Sequence, residues 1–265
     1  MALSPLLDRY DQLILDLDGC VWVGDEAVDG SVQAIELLRK SGKRLAFATN
    51  NSRRSAEDYV RKLWSMGIQA AAGDVVTVGG AVQHLLAETR RGMTVFVIGT
   101  QTMVDHVANA GLKVVNNTDL ATRADMVLVS GTEEVGYDEI RIATLALGRG
   151  ADFLTTSRDP TYPMPDGFWP GTGALLAAVE TASGREAAVV GKPEPQLFLT
   201  ALERLGEGRT LVVGDRIASD IEAAKRAQLD AALVLTGDTS AEEAAATREP
   251  RPVAVADNLL ALVTR

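Results

Sequence analysis

Short apolar segments alternate with amphipathic ones along the N-terminal third of the chain. Continuous apolar runs indicate buried strands, and apolar positions spaced by three or four residues indicate helices. Strands are predicted at 13–17, 44–48 and 75–78, and helices at 31–41, 55–67 and 81–89. This alternation is typical of a parallel sheet covered by helices. The first segment is therefore predicted to have an α/β fold.

The same alternation restarts near Met93 and again near Ala187. The second segment is predicted to contain strands at 94–98, 113–115, 126–129 and 152–154, and helices at 102–110, 137–147 and 174–181. The third is predicted to contain strands at 187–190, 210–213, 231–235 and 253–255, and helices at 196–205, from 219 onward and, solvated, at 242–247. Residues 157–171 contain four prolines and two glycines. A long ordered loop is predicted there.

Composition and charge narrow the classes of partner. Hydrophobic residues make up 46% of the chain and charged residues 23%, as in ordinary globular proteins. The formal net charge of −10 argues against a general surface that binds nucleic acid or an anionic membrane. It is still compatible with a local basic pocket that binds a small anion. No apolar segment approaches the roughly 20 residues of a membrane span, and the N-terminus lacks the pattern of a signal peptide. We therefore expect a cytoplasmic protein without nucleic-acid or membrane partners.

The chain has a single cysteine, Cys20. An intramolecular disulfide is therefore excluded, which fits a reducing compartment. Cys20 lies directly after a segment rich in aspartate, where a redox-sensitive thiol is one interpretation. Burial as a small hydrophobic side chain is the role that we expect for it.

Four of the predicted strands end in polar side chains. These are Asp16 and Asp18, Thr49 and Asn50, Lys192, and Asp215 with Asp220. Because open α/β sheets bind ligands at the carboxyl ends of their strands, we expect these groups to converge. Taken singly, a surface lysine at Lys192 and a helix cap at Asp215 are alternative interpretations.

Together these residue types predict phosphoryl-transfer chemistry. Aspartates that lie close together suit a hard divalent cation such as Mg²⁺, which prefers oxygen ligands and keeps several waters. A carboxylate beside such a cation can attack phosphorus and form an aspartyl-phosphate. A lysine would neutralise charge on the transferring group. A second acid would protonate the leaving oxygen and then activate water.

Four short motifs occur in order: DLDG at 16–19, TNNS at 49–52, GKP at 191–193 and GDRxxSD at 214–220. With these motifs the sequence resembles the haloacid dehalogenase superfamily of phosphatases. It is most similar to the branch with a large cap between the second and third motifs, which includes NagD-like, phosphoglycolate and pyridoxal phosphate phosphatases. The resemblance implies a Rossmann-like, doubly wound parallel-sheet core at 1–91 plus 187–265, with an inserted C2-type α/β cap domain at 92–186.

The resemblance also implies a role for each polar strand end. Asp16 would be the nucleophile and a metal ligand, and Asp18 the general acid/base and a metal ligand through its backbone carbonyl. Asp215 would be a further protein ligand to Mg²⁺, and Asp220 would support the metal site. The transferring phosphoryl group would be bound by Thr49, Asn50, Asn51 and Lys192.

In the cap, the resemblance implies that Tyr137 and Tyr162 face the leaving group, with ordinary packing as the alternative for both. We therefore expect a Mg²⁺-dependent phosphomonoester hydrolase that acts on a small phosphorylated metabolite through an aspartyl-phosphate. The sequence does not determine which metabolite is the substrate. It also does not determine whether the chain forms a homodimer through the cap. A non-enzymatic phospho-ligand binding protein and a phosphotransferase to an acceptor other than water are the alternatives.

Overall fold

The computed structural model describes residues 2–265, and this part of the chain contains fifteen strands and ten α-helices. The strands are β1 (Gln12–Leu15), β2 (Trp22–Val23), β3 (Glu26–Ala27), β4 (Arg44–Thr49), β5 (Val75–Thr77), β6 (Thr94–Ile98), β7 (Lys113–Val114), β8 (Met126–Val129), β9 (Asp152–Thr155), β10 (Thr161–Met164), β11 (Gly167–Pro170), β12 (Ala188–Val189), β13 (Thr210–Gly214), β14 (Asp230–Val234) and β15 (Ala254–Ala256). The helices are α1 (Ser31–Lys40), α2 (Ala56–Ser65), α3 (Val78–Thr89), α4 (Gln101–Asn109), α5 (Tyr137–Gly148), α6 (Thr172–Ser183), α7 (Gln196–Leu205), α8 (Glu222–Arg226), α9 (Ala241–Ala246) and α10 (Leu259–Val263).

A six-stranded parallel sheet forms the core, in the order β15-β14-β13-β1-β4-β5. In the central strand β1, Ile14 lies opposite Val212 on one neighbour and Ala46 on the other. Every residue of β1 is buried, and its two faces pack into separate apolar clusters, one with Ile14 and the other with Leu13 and Leu15. Each such side chain contributes about 1.5–3 kcal/mol by leaving water. The sheet is covered on both faces, which confirms the predicted doubly wound α/β core.

The chain between β5 and α7 forms a second parallel sheet, with five strands in the order β12-β9-β8-β6-β7. Helices α5 and α6 cover one face through a cluster that includes Val127 and Leu176. The other face joins an apolar cluster of the core sheet through Val97 and Leu128. This is the predicted inserted α/β cap. Strand β12 pairs with β9 although it follows the predicted boundary at 186, so the limits of the two domains stay a proposal.

The passage at 157–171 differs from its prediction as a loop. It contains an antiparallel hairpin, β10–β11, in which Pro163 lies opposite Phe168 and Pro170 opposite Thr161. Proline cannot donate a hydrogen bond to a neighbouring strand, but a two-stranded ribbon has outer edges where no donor is needed. The prolines therefore limit the size of this sheet without preventing it.

Three short elements were not predicted: β2, β3 and α10. The helix predicted from 219 begins instead with a π-helical turn at Ile217–Ile221, which continues into α8. Elements of two to five residues, such as these three, have too few positions for hydrophobic periodicity to show. None of the helices within residues 2–265 has the length and apolar character required to cross a bilayer.

Candidate active site

A cleft lies between the core and the cap, at the carboxyl ends of β1, β4 and β13. Asp16 follows β1 directly, and its backbone N–H donates to the carbonyl oxygen of Val213 over 2.8 Å, which keeps it in line with the sheet. The opposite wall includes Tyr162 and Pro163 of β10. All the core residues predicted from the motifs line this cleft: Asp16, Asp18, Thr49, Asn50, Asn51, Lys192, Asp215 and Asp220.

Three carboxylates come together at the floor of the cleft. Asp16, Asp215 and Asp220 each offer one oxygen, and these oxygens lie within 4.8 Å of one another. All three residues are buried, Asp16 with 6% of its surface exposed. Both oxygens of Asp220 already accept hydrogen bonds, one from Lys192 Nζ and one from the backbone N–H of Arg216. Asp220 is therefore placed to hold its neighbours in position.

Lys192 lies among these carboxylates and is only 2% exposed. Its Nζ donates to Asp16 Oδ1, to Asp220 Oδ1 over 2.6 Å and to the carbonyl oxygen of Ala48 over 3.3 Å. Burial lowers the pKa of Lys192, but the charges of Asp16 and Asp220 outweigh burial and raise it. Lys192 is thus a buried cation, and the interpretation as a surface lysine is wrong.

The cluster carries more negative than positive charge. Burial raises the pKa of Asp16 well above its ordinary value, against the opposing charge of Lys192. Burial, together with the charge of Asp220, raises the pKa of Asp215 to about 7. A divalent cation offsets an excess of carboxylate charge, and carboxylate oxygens are the ligands that Mg²⁺ prefers. The residues present therefore fit a magnesium ion.

Two glycines make room for the Asp215 carboxylate. Gly19 has φ +85°, in the left-handed region, and a Cβ on it would lie 2.5 Å from Asp215 Oδ2. A Cβ on Gly237 would lie closer still to the same oxygen. Asp215 Oδ2 accepts a hydrogen bond from the backbone N–H of Asp238 over 2.7 Å. The glycine of the DLDG motif is thus required both by its backbone conformation and by this close approach.

The Asp18 side chain lies apart from the three clustered carboxylates. Its Oδ1 accepts a hydrogen bond from Trp22 Nε1 over 3.0 Å, and its Oδ2 accepts from Thr49 Oγ1 and Asn51 Nδ2, each over 3.4 Å. The indole of Trp22 stacks on the ring of Tyr59, with ring centroids 6.1 Å apart. Asp18 is therefore held at the cleft by donors on two separate segments, the TNNS turn and the strand that carries Trp22.

The side chain of Asn50 is fully engaged by groups of the protein itself. Its Oδ1 accepts from the backbone N–H of Lys192 over 2.7 Å, and its Nδ2 donates to the carbonyl oxygen of Lys192 and to Asp159 Oδ2. Both amide hydrogens are therefore engaged. A contact from Asn50 to a phosphoryl oxygen would have to come from its backbone N–H, because its side chain has no donor left.

The two cap tyrosines differ in position. Tyr162 lines the cleft, with the guanidinium carbon of Arg53 4.0 Å from its ring centroid, and its hydroxyl donates to Glu133 Oε1 over 3.4 Å. Tyr137 begins α5, is 81% exposed and is absent from the cleft wall. The structure therefore brings only Tyr162 to the predicted leaving-group side, because the start of α5 faces solvent.

Cys20 lies directly behind the DLDG turn. It is fully buried among core side chains that include Leu17 and Trp22. Burial, reinforced by the charge of Asp16, raises the pKa of its thiol well above the ordinary value. A buried, protonated thiol is a small hydrophobic side chain, as the sequence predicted for Cys20.

Sequence reasoning gave no role to two residues of the cleft, Asp159 and Arg216, or to the buried Trp22, which donates to Asp18. Each belongs to a segment that the motifs had already marked. Trp22 lies four residues after Asp18, Asp159 belongs to the proline-rich passage, and Arg216 is the arginine of GDRxxSD. Asp159 meets Asn50 and Arg216, which lie far away in sequence, so only the motif context could have drawn attention to this contact.

Comparison with known proteins extends the motif resemblance to the whole chain. A family model described as haloacid dehalogenase-like hydrolase matches residues 13–113, and one described as HAD-hydrolase-like matches residues 189–262. The chain is 37% identical over 243 residues to the D-glycerol 3-phosphate phosphatase of Mycobacterium tuberculosis, covering 91% of this chain and 67% of that protein. It is 35% identical over 239 residues to the acid sugar phosphatase of Staphylococcus saprophyticus, covering 89% of this chain and 91% of that protein.

Solved structures show the same relationship. The glycerol phosphate phosphatase of Mycobacterium tuberculosis, crystallised in complex with magnesium, matches with a TM-score of 0.87 at 37% identity, covering 98% of this chain and 78% of that chain. NagD from Escherichia coli K-12 matches with a TM-score of 0.81 at 26% identity, covering 94% of this chain and 97% of that chain. The chain belongs to the haloacid dehalogenase-like hydrolase family.

Proposed function

We propose that this protein is a Mg²⁺-dependent phosphomonoester hydrolase that acts on a small phosphorylated metabolite. The observation that supports this most is the contact of Lys192 with both Asp16 and Asp220, beside Asp215. All four side chains are buried at the same edge of the core sheet. A buried cation among carboxylates is costly to maintain for stability alone. The arrangement is well suited to bind a phosphoryl group, because such a group needs positive charge and a nucleophile together.

The proposed chemistry has two steps. An oxygen of Asp16 attacks phosphorus, the bond from phosphorus to the leaving oxygen breaks, and protonated Asp18 gives its proton to that oxygen. Water then attacks phosphorus, Asp18 takes a proton from the water, and the bond to Asp16 breaks to regenerate its carboxylate. The products are an alcohol and inorganic phosphate.

The remaining core residues would hold the transferring group. Lys192 would place its ammonium against the phosphoryl oxygens, and Thr49 with Asn51 would supply further donors from the TNNS turn. Asp16, Asp215 and the backbone carbonyl of Asp18 are the proposed ligands of Mg²⁺, with Asp220 in support. Mg²⁺ supplies positive charge that offsets the charge of the phosphoryl oxygens.

Small phosphorylated polyols and sugars are the first substrates to test. The two curated relatives described above are named for glycerol 3-phosphate and for acid sugar phosphatase activity. The cleft also suits a small substrate, because cap residues such as Tyr162 line the same cleft as Asp16 and so limit its size. Phosphoglycolate, nucleoside monophosphates and pyridoxal phosphate complete the panel.

The test measures phosphate release over this panel, with Mg²⁺ and with EDTA. We expect the wild type to release phosphate only with Mg²⁺, and Asp16→Asn to lose at least about 10³-fold in kcat on p-nitrophenyl phosphate while its Tm is retained. Added alcohols distinguish hydrolysis from transfer, since a transferase would form a new phosphate ester. Full activity in Asp16→Asn would exclude the covalent route.

A further inference from the structure

One cap carboxylate contacts core residues that follow the two strands on either side of β1. Asp159 lies in the segment 157–161, here called the bridging loop, and its Oδ2 accepts from Asn50 Nδ2 over 3.0 Å and from Ser157 Oγ over 2.5 Å. Its Oδ1 lies 3.7 Å from Arg216 Nε. Only 23% of its side chain is exposed.

The two core partners of Asp159 lie on either side of Asp16. Asn50 follows β4, Arg216 follows β13, and β1 runs between these two strands. Arg216 strengthens the connection, because its Nη2 also donates to the carbonyl oxygen of Thr161 over 2.9 Å and pairs with Asp238 over 3.0 Å. The bridging loop is therefore held on both sides of β1, by Asn50 after β4 and by Arg216 after β13.

Asn50 connects this contact to the reacting groups. The same side chain that donates to Asp159 also holds the backbone N–H and the carbonyl oxygen of Lys192. Lys192 in turn contacts Asp16 and Asp220. Hydrogen bonds thus connect the cap carboxylate to the backbone of Lys192, whose side chain carries the ammonium that contacts the nucleophile.

We propose that Asp159 is a positioning residue, which acts through Asn50 to set Lys192 against Asp16 when the cap is seated on the core. This inference rests on the proposed phosphatase function. It assigns Asp159 no contact with the reacting atoms. Because placement errors near 1 Å cost up to about 100-fold in rate, loss of this link is expected to affect the chemical step itself.

The decisive variant is Asp159→Ala. We expect its kcat to fall by about ten- to a hundredfold, and by the same factor for p-nitrophenyl phosphate and glycerol 3-phosphate, because Lys192 faces the phosphoryl group common to both. Asp159→Asn keeps an oxygen acceptor for Asn50 and should lose less. Exchange of the Lys192 backbone amide hydrogen should become faster in Asp159→Ala, since its acceptor on Asn50 loses a support.

A mutant cycle tests the path through Asn50. We expect Asn50→Ala to lose activity like Asp159→Ala, and the double variant to lose little more, because residues on one path are not additive. Asp152→Asn serves as the matched control, since it weakens a half-exposed ion pair of the cap with Arg90 of the core that does not line the cleft. Its kcat should stay at the wild-type value.

Three results would overturn the assignment. One is an unchanged kcat in Asp159→Ala, with only KM raised and by different factors for the two substrates. That result would mean that Asp159 only lines the cleft and contacts the leaving group. Another is fully additive losses in the cycle. The third is an unaltered exchange rate at Lys192. Failure of the phosphatase proposal itself is distinguished by the wild type, which would then release no phosphate from any substrate.

Discussion

The two walls of the cleft differ in how deeply their side chains are buried and in the contacts that hold those side chains in place. On the core side, Asp16, Lys192 and Asp220 are buried and satisfy one another, so their positions are fixed by charge in a site of low dielectric. On the cap side, Tyr162 and Glu133 are more exposed and meet through a 3.4 Å hydrogen bond and a stacked arginine. We therefore expect the reaction to depend on the buried core side, here called the rigid wall, and substrate choice to depend on the more exposed cap side.

The largest effect is expected on the core side, in Lys192→Met. Removal of the ammonium leaves Asp16 and Asp220 buried without a counter-charge, and breaking a buried ion pair costs about 3–5 kcal/mol. We expect urea unfolding in EDTA to show this loss, and phosphate release to become undetectable. The control is Lys225→Met, whose exposed pair with Glu249 contributes about 1 kcal/mol or less. Equal stability of the two variants would contradict the difference between the walls.

Asp18→Asn should separate chemistry from stability. Because Asp18 is partly exposed and lies outside the carboxylate cluster, we expect its unfolding free energy to change little. As the proposed general acid it contributes about 10²–10⁴-fold to kcat. The loss should be smaller for p-nitrophenyl phosphate than for glycerol 3-phosphate, since a nitrophenolate needs little help to leave. An equal loss on both esters would argue against the role in protonating the leaving group.

The smallest effect is expected on the cap side, in Tyr162→Ala. This change removes the stacking of Arg53, which at such sites contributes about 0.5–1 kcal/mol. We expect a two- to fivefold change in KM that depends on the leaving group, at roughly constant kcat. Tyr137→Ala is the control, and its kinetics should match the wild type because the side chain faces solvent. A large loss of kcat in Tyr162→Ala would place that tyrosine with the rigid wall instead.

By itself, the sequence determined the alternation of strands and helices and the polar residues at the strand ends. Both follow from local pattern, because a buried strand needs a continuous apolar run and the residue after it emerges at the sheet edge. Asp16, Asp215 and Lys192 were therefore predictable as neighbours. The hairpins β2–β3 and β10–β11 were not, since their few residues carry no clear period.

Only the tertiary structure decided which groups share a hydrogen bond. It joined Asn50 to Lys192 and Asp159, more than a hundred residues away, and it left Tyr137 in solvent. It also joined the Asp18 carboxylate to Trp22 and left it outside the cluster of the other three carboxylates. The reason is physical: a strand end fixes the edge at which a side chain emerges, whereas its partner depends on how distant segments pack around it.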